Sequence, residues 1–288
     1  MNMKRKITIL AGLLLITSVV WFLVLAQKSG QILETIFLDV GQGDSILIKT
    51  PQNQSILIDG GPNNKVLEKL GKYIFSIPKK IDVVILTHPH ADHVTGLIEV
   101  LKRYSVGLVV INGVYLKTDN YNQFVSAAKN NGARVLIAEV SEAIHFSKDL
   151  EFDIIAAPGS DSGVTNDNSA NETSIVGKLI YKDFSMMFMG DAPATIENKI
   201  LAYGDGLKSD IIKVGHHGSK YSSFINFLSA VAPKAGIIEV AEKNIYNLPS
   251  PAALSRFAFL GINVFETGER GDIRVLSDGF TANIFTER

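Results

Sequence analysis

Residues 83–93 read VVILTHPHADH, and this stretch decides the fold of the chain. An apolar run bounded by polar residues predicts a buried strand over 83–86, and the spacing of Leu97, Leu101 and Tyr104 predicts a helix over 94–104. Between them stand three histidines and one aspartate within six residues. Imidazole and carboxylate groups are ligands for zinc, manganese and iron. The stretch therefore predicts a metal site at the end of a strand, in preference to a solvated polar loop.

A second histidine cluster follows another apolar strand. Residues 210–214 are predicted as a strand, and HHGS follows at 216–219. Asp191 closes a third predicted strand over 185–189, where a carboxylate could bridge two cations. Five of the six histidines thus lie just after apolar strands. His145, in a short apolar stretch, is interpreted as a strand residue without a ligand role.

Composition excludes several protein classes. The chain has 288 residues, of which 46% are hydrophobic and 20% charged, and it has no cysteine. It is too apolar for a disordered protein, and it can form no disulfide scaffold, iron–sulfur centre or thiol nucleophile. Residues 31–288 carry 24 basic residues against 29 acidic ones, a net charge of −5. This acidic body argues against a protein that coats nucleic acid through its phosphates.

Residues 7–26 form a run of 20 without a charge. As a helix this run would be about 30 Å long, which matches the hydrocarbon core of a bilayer. The sequence KRK at 4–6 precedes it, whereas only Lys28 follows closely, so we expect the amino terminus in the cytoplasm and the rest outside. The alternative is a signal peptide cleaved after Ala26.

These features predict a domain organisation of four parts. They are a cytoplasmic stub over 1–6, a transmembrane anchor or signal peptide over 7–26, a linker over 27–32 and a folded domain over 33–288. Only one apolar run has the length to span a membrane, so transport by this chain alone is not expected.

The body predicts an α/β protein. Strand-rich stretches followed by alternating strands and helices occur twice, which is typical of two packed sheets with helices outside. Residues 159–171 (GSDSGVTNDNSAN) are predicted as an exposed loop. A helix is predicted from Pro251, with Ser250 as its N-cap and Gly261 as its stop.

The order of these motifs resembles the metallo-β-lactamase fold family. More narrowly, the sequence is similar to the soluble domain of the ComEC-type DNA-uptake competence proteins. The resemblance covers nearly all of residues 33–285, with a weaker match through 244–249 and 267–271. The segments that carry it are 38–45, 58–61, 87–96, 171–191 and 210–219.

The resemblance implies a four-layer αββα sandwich, preceded here by one transmembrane helix, with two divalent metal ions at one edge of the sheets. Zinc is expected, with manganese or iron as alternatives. Asp59 would have a structural role beneath the metal loop. The implied ligands are His88 and His90 for the first metal, Asp92, His93 and one of His216 and His217 for the second, and Asp191 as the bridge. Of the last pair, we favour His216 because it comes first after the strand.

Two positions depart from these patterns. The superfamily usually has a third histidine for the first metal, whereas Asn171 lies nearest the expected place here, as it does in the ComEC-type sequences. Those closer relatives also tend to carry a histidine before the proline that matches Pro249, where this chain has Leu248. A substrate-facing or proton-donating role at that position is therefore not expected.

The function that we predict is metal-assisted hydrolysis by a membrane-anchored phosphodiesterase or nuclease. Asp92 would orient the attacking water, and His217, as the histidine that is not a ligand, would protonate the leaving oxygen or bind a substrate oxygen. Asn171, Ser219 and Lys220 are the candidate substrate contacts. The expected partners are the membrane, single-stranded DNA and a membrane channel protein of DNA uptake.

Two alternatives remain open at the level of sequence. One is an acyl hydrolase of the same fold, acting on an ester, thioester or lactam. The other is a non-catalytic binding module that a metal ion stabilises.

Overall fold

The structure, a computed structural model, describes residues 3–28, 31–75, 77–158 and 164–288. The start of the predicted stub, the middle of the predicted linker and residues 159–163 of the predicted loop lie outside these ranges. Helix α1 (Met3–Lys28) extends beyond the predicted anchor at both ends. Its first 20 residues have exposed side chains, and α1 is the helix of the described chain that is long and apolar enough to cross a membrane.

The described residues form eight α-helices, seventeen strands and three 3₁₀ helices. The helices α2 to α8 are Lys65–Tyr73, Ala91–Arg103, Asp119–Asn131, Ala194–Ile200, Ile225–Val231, Pro251–Phe259 and Thr267–Arg270. The strands β1 to β9 are Leu33–Phe37, Ile46–Lys49, Ser55–Ile58, Lys80–Ile85, Ser105–Ile111, Tyr115–Leu116, Arg134–Ile137, Ala143–Ser147 and Leu150–Ala156. The strands β10 to β17 are Val164–Thr165, Val176–Tyr181, Phe184–Phe188, Ile211–Lys213, Ala235–Ile238, Asn263–Glu266, Ile273–Ser277 and Ala282–Thr286. The 3₁₀ helices are Asp167–Thr173, Leu201–Leu207 and Gly215–Gly218.

Two large sheets form the centre of the domain. The first has eight strands in the order β17-β16-β1-β2-β3-β4-β5-β7, and the second has seven in the order β15-β14-β13-β12-β11-β9-β8. Strands β3, β4, β5 and β7 are parallel to one another, as are β12 to β15. Each parallel run therefore directs its carboxyl ends to one edge of its sheet.

Three apolar layers explain why these strands are apolar on both faces. In β3, Ile56 and Ile58 pack between the two sheets, whereas Leu57 packs against α2 and α3 on the other side. The second sheet packs its outer face, including Met187 and Ile212, against α5 to α7. A strand buried on both faces is a continuous apolar run instead of an alternating one. This arrangement confirms the predicted four-layer αββα sandwich.

One local expectation is corrected. Much of the predicted loop 159–171 lies in the 3₁₀ helix Asp167–Thr173, in which Ala170 is fully buried. The Asn166 side chain accepts a 3.2 Å hydrogen bond from the Ser169 backbone and caps this helix. Strand β11 begins after this helix, at Val176. Helix α5 ends at Ile200, and the chain continues as the 3₁₀ helix Leu201–Leu207.

Helix α3 approaches the end of β3 so closely that two glycines are required. A Cβ added to Gly96 would lie 1.9 Å from the Gly60 carbonyl oxygen, closer than any real contact. The backbones are also joined directly, because Gly60 N donates to His93 O at 2.8 Å and Gly96 N donates to Gly61 O at 3.0 Å. This contact fixes the first turn of α3, which carries Asp92 and His93.

We predict that Gly96→Ala lowers the free energy of unfolding by about 1–3 kcal/mol or more, because an overpacked site must shift the helix backbone. The matched control is Gly71→Ala in α2, where an added Cβ meets nothing within 4 Å. There alanine should stabilise the helix by up to about 1 kcal/mol. Urea midpoints of the two variants measure the difference, and equal midpoints would contradict the packing account.

Candidate metal centre

The charged and histidine residues follow the carboxyl ends of the central strands. Asp59 follows β3 and the histidine loop follows β4, both in the first sheet. Asp191, His217 and Glu239 follow β12, β13 and β14 in the second. Because parallel strands end at one edge, the two sheets bring these side chains together.

Asp59 holds both ends of the loop over 87–93 by hydrogen bonds. Its carboxylate accepts hydrogen bonds from Thr87 N at 2.8 Å, Thr87 Oγ1 at 2.7 Å and His93 Nδ1 at 2.8 Å. Asp59 is fully buried and has a left-handed backbone with φ of +57°. A hydrogen bond to Nδ1 leaves Nε2 of His93 directed toward the site, which is how carboxylates orient metal-binding histidines.

His88 and His90 lie side by side within this loop. Nε2 of His88 is 3.0 Å from Nδ1 of His90 and 4.0 Å from Oδ2 of Asp191. Thr87 Oγ1 lies 3.1 Å from Nδ1 of His88 and fixes its ring. The structure therefore brings together the two residues expected at the first metal.

Four residues form the tightest group of possible ligands. One ligand atom from each of Asp92, His93, Asp191 and His217 lies within 4.8 Å of all the others. Nε2 of His217 is 3.3 Å from Oδ2 of Asp92 and 3.6 Å from Oδ2 of Asp191, and Nε2 of His93 is 3.5 Å from Oδ1 of Asp191.

Several of these buried polar atoms have no hydrogen-bond partner among the described residues. They include Nε2 of His93, Nε2 of His217 and Oδ1 of Asp191. A buried polar atom left unpaired costs about 1–3 kcal/mol, so a converging set needs an explanation. Nitrogen and carboxylate donors at this spacing fit a divalent cation, as the chemistry of the donor set predicts.

His216 and His217 both adopt left-handed backbone conformations, with φ of +50°. Two such residues in succession are uncommon outside glycine and indicate a strained functional turn. The turn sends His217 inward, where it is 2% exposed, and leaves the His216 side chain 30% exposed. The tight ligand group thus contains His217 in the place for which the sequence favoured His216. Nε2 of His216 instead lies 3.2 Å from Nδ2 of Asn171.

Behind the ligands lies a buried ion pair that the sequence analysis did not predict. Lys213 on β13 pairs with Asp44, and both side chains are almost fully buried. Nζ of Lys213 also donates to Gly190 O at 2.9 Å, and Oδ1 of Asp44 lies 3.3 Å from Nδ1 of His217. The same Nδ1 lies 2.7 Å from the Glu239 carbonyl oxygen, which therefore holds the His217 ring.

The charges of this cluster shift the pKa values of its members. Burial would raise the pKa of Asp191, but His217 and His93 hold it well below its usual value. Burial would likewise lower the pKa of His93 and of His217, yet Asp191 and the other carboxylates raise both well above the usual value. Without a cation, protonated imidazoles therefore balance the buried carboxylates. Burial raises the pKa of Glu239 well above its usual value, which favours its neutral form.

A cavity of about 310 Å³ opens directly onto the ligand group. Asn171 and His216 line it, together with Gln42, Tyr246 and Leu248. Two other predicted substrate residues, Ser219 and Lys220, do not line it. The turn at Gly218, with φ of +77°, directs the chain away from the cavity, and Ser219 uses its Oγ to accept from Tyr221 N at 3.3 Å.

Some of the residues that the sequence analysis missed carried a signal in their surroundings. Lys213 interrupts the apolar run of β13, and a charged residue inside a buried strand requires a partner. Glu239 stands in the same way between Ile238 and Val240. Asp44 gave no such signal, because an aspartate in a glycine-rich turn is common. Tyr246 and Gln42 lie in loops and could be assigned to the cavity only from the tertiary structure.

We predict that Lys213→Met lowers the free energy of unfolding by about 3–5 kcal/mol, because it leaves the Asp44 carboxylate buried without its cation. Lys234→Met is the matched control. Lys234 pairs with Asp210 at 2.7 Å but is 83% exposed, so its loss should cost about 1 kcal/mol or less. Urea unfolding measures both, and similar losses for the two variants would contradict the role given to the ion pair.

We also predict that metal uptake releases protons and is tighter at higher pH. The carboxylates that raise the pKa of His93 and of His217 favour the protonated imidazoles, and a cation must displace those protons. Between pH 6.5 and 8 the apparent association constant for Zn²⁺ should therefore rise, by up to about tenfold per unit for each proton released. Titration calorimetry in buffers of different ionisation enthalpy counts the protons, and a pH-independent affinity would contradict this account.

Comparison with known proteins identifies the family of the chain. The family profile described as the metallo-beta-lactamase superfamily matches residues 38–238. ComE operon protein 3 of Bacillus subtilis is 28% identical over 259 residues, which cover 84% of this chain and 32% of that protein. Competence protein ComA of Neisseria gonorrhoeae is 24% identical over 238 residues, covering 82% of this chain and 31% of that protein.

The chain thus spans about a third of the length of these curated relatives. Among solved structures, the metallo-beta-lactamase fold protein YhfI from Bacillus subtilis superposes with a TM-score of 0.55 at 10% identity. That match covers 88% of this chain and all of YhfI, and it shows the fold. The chain belongs to the metallo-beta-lactamase superfamily.

Proposed function

We propose that this protein is a membrane-anchored, metal-dependent phosphodiesterase that cleaves single-stranded DNA during DNA uptake, next to a membrane channel protein. Helix α1 would be the anchor, with the basic residues 4–6 in the cytoplasm and the catalytic domain outside the membrane. The superfamily consists generally of metal-dependent hydrolases, and the relatives are competence proteins, so the reaction class has the broader support. The substrate is the finer part of the proposal.

One observation carries the proposal. Buried ligand atoms of His93, Asp191 and His217 form no hydrogen bond with the described residues, and they converge beside an open polar cavity that Asp191 and His217 line. A purely structural cluster would satisfy its own polar groups. Atoms left unpaired at a cavity are instead available to a cation and to a substrate.

The geometry supports an assignment of ligands that exchanges the two neighbouring histidines. Asp92, His93 and His217 would hold one cation, His88 and His90 the other, and Asp191 would bridge them. His216, which the sequence favoured as the ligand, would serve the substrate. Its Nε2 lies 4.0 Å from Asp191, and it shares the cavity wall with Asn171.

When bound, divalent cations supply a water nucleophile at neutral pH and neutralise charge that develops on a phosphate. The chain's own residues position the substrate. Asn171 and His216 offer hydrogen-bonding groups beside the cavity, where they can hold an oxygen of the phosphodiester or of its leaving group. Asp92 is partly exposed, with 33% of its side chain accessible, and faces the same space.

The rim of the cavity favours a nucleic acid over a small acyl substrate. Tyr246 is 64% exposed and lines the cavity, so its ring can stack against a base. Its loop is held by Asn244, whose Oδ1 accepts from Tyr246 N at 3.1 Å and from Leu248 N at 3.0 Å. The acidic charge of the domain gives DNA no general attraction, so an aromatic ring beside the ligand group would supply a local contact for a base.

The proposed function is tested with a panel of substrates. The metal-loaded protein is assayed on single-stranded DNA, RNA, bis(p-nitrophenyl) phosphate, a thioester and a lactam, with Asp191→Ala as the inactive control. We expect turnover of the phosphodiesters, fastest on single-stranded DNA. Turnover confined to the thioester or lactam would replace the proposal with an acyl hydrolase, and no turnover of any substrate would replace it with a binding module.

The exchanged roles of the two histidines give a separate prediction. His217→Ala should lose a metal equivalent and nearly all turnover. His216→Ala should retain the full metal content and lose about 100-fold in kcat, the usual effect of removing one preorganised hydrogen-bonding group. Metal analysis and steady-state kinetics measure both.

His145→Ala is the control for a histidine remote from the site. Its Nδ1 lies 2.9 Å from Glu151 and its side chain is 67% exposed, so metal content and turnover should be unchanged. Loss of metal from His216→Ala, with full metal in His217→Ala, would restore the assignment favoured by the sequence.

A further inference from the structure

We propose that the folded domain rests on the bilayer by the end opposite its metal centre, with Phe75 and Ile77 inserted into the lipid interface. This inference rests on the proposed membrane anchoring by α1. It does not depend on the substrate or on the metal.

The chain itself places one end of the domain beside the membrane. Helix α1 ends at Lys28, and Gln31 is already fixed to the folded domain because the Tyr181 hydroxyl donates to its carbonyl oxygen at 2.9 Å. Three residue steps separate Lys28 from Gln31, and an extended chain spans at most about 11 Å over that length. The surface around Tyr181 therefore lies close to the end of α1.

The sheet register shows which other segments share this end. Thr35, Ile48, Ile56 and Val83 lie in one row across β1 to β4. Because β1 and β4 leave this row in the same direction, the start of β1 and the segment before Lys80 lie at the same end. They are about 14 Å apart, since three strand spacings of about 4.8 Å separate them.

The segment that precedes β4 exposes two large apolar side chains. Phe75 is 81% exposed and Ile77 is 97% exposed, and Lys79 and Lys80 follow after Pro78. Apolar side chains flanked by lysines are typical of segments that enter a membrane interface, where the ammonium groups remain at the headgroups. Lys80 is paired with Asp82, and Nζ of Lys79 lies 5.5 Å from the ring centre of Tyr104.

A second expected contact with the bilayer lies on the other side of β1. The turn between β16 and β17 carries Phe280, which is 62% exposed, and Nζ of Lys182 lies 4.9 Å from the centre of its ring. The carboxylate of this turn is hydrogen-bonded to its own backbone, because Oδ1 of Asp278 accepts from Phe280 N at 2.9 Å and from Thr281 N at 2.8 Å. An aromatic ring beside a lysine suits the headgroup level of a bilayer.

Lipid is the occupant that these observations favour. The short connection to α1 holds this end against the membrane whatever else is present, and anionic lipid attracts the lysines that flank the apolar side chains. The metal centre follows the opposite ends of the same strands. The cavity would therefore open into solution and away from the lipid.

The test uses the whole chain, which has no cysteine of its own. Single variants Ile77→Cys and Ile245→Cys are spin-labelled and reconstituted into vesicles of phosphatidylcholine and phosphatidylglycerol in equal amounts. Ile245 is the matched control, because it is an isoleucine that is 87% exposed and directly precedes Tyr246, which lines the cavity at the metal centre. Power saturation then compares the access of oxygen, which concentrates in lipid, with that of a water-soluble nickel chelate.

We expect the oxygen-to-nickel ratio at position 77 to exceed that at 245 several-fold. A label at Phe280→Cys should give an intermediate ratio. Equal ratios at 77 and 245, or a higher ratio at 245, would overturn the inference. Low access of both reagents at 77 would also overturn it, because that result indicates contact with protein instead of lipid.

Flotation of the vesicles separates this inference from the proposed anchoring. Protein that floats and resists alkaline extraction, with a water-exposed label at 77, overturns the lipid-facing end alone. Protein that does not float overturns the anchor and the lipid-facing end together. Turnover of the substrate panel is unaffected by either outcome and tests the proposed reaction separately.

Discussion

The buried ion pair between Lys213 and Asp44 joins the two sheets at the point where the site is built. Lys213 belongs to the second sheet, and Asp44 lies two residues before β2 of the first. Removing both charges from water is costly, and the geometry offsets that cost only if each group is fully used. Lys213 also holds the carbonyl of Gly190, next to Asp191, and Asp44 contacts His217. The ligand-bearing segments of the second sheet thus depend on one lysine.

The fold could be predicted because its signals are local. Apolar runs mark the strands, and polar or glycine-rich residues end them, so this pattern predicted two packed sheets with helices outside. The four-layer αββα arrangement was implied by the family resemblance. The histidine loop after β4 was recognisable for the same reason. Its three histidines and one aspartate have no structural explanation at a strand end, and the loop resembled a known family.

The finer geometry of the site depends on contacts that the sequence does not contain. Order along the strand favoured His216, but the left-handed turn at both histidines directs His217 to the buried side. The position of Asn171 on a 3₁₀ helix depends on burial of Ala170 and on the Asn166 cap. Asp44 and His217 are distant in sequence and meet only when the two sheets pack. Local pattern can therefore predict which residues are reactive more readily than it can predict which of them meet.

The hydrogen bond from Tyr181 to the Gln31 carbonyl has a consequence for how the protein would meet a substrate. It shortens the connection to α1 so much that the domain, once anchored, could not turn its cavity toward the bilayer. The cavity would instead remain in a thin layer of solution at a constant height above the surface. Encounter would then depend on how many copies occupy each unit of membrane area, and long strands that cross this layer would be met more often than short fragments in bulk solution.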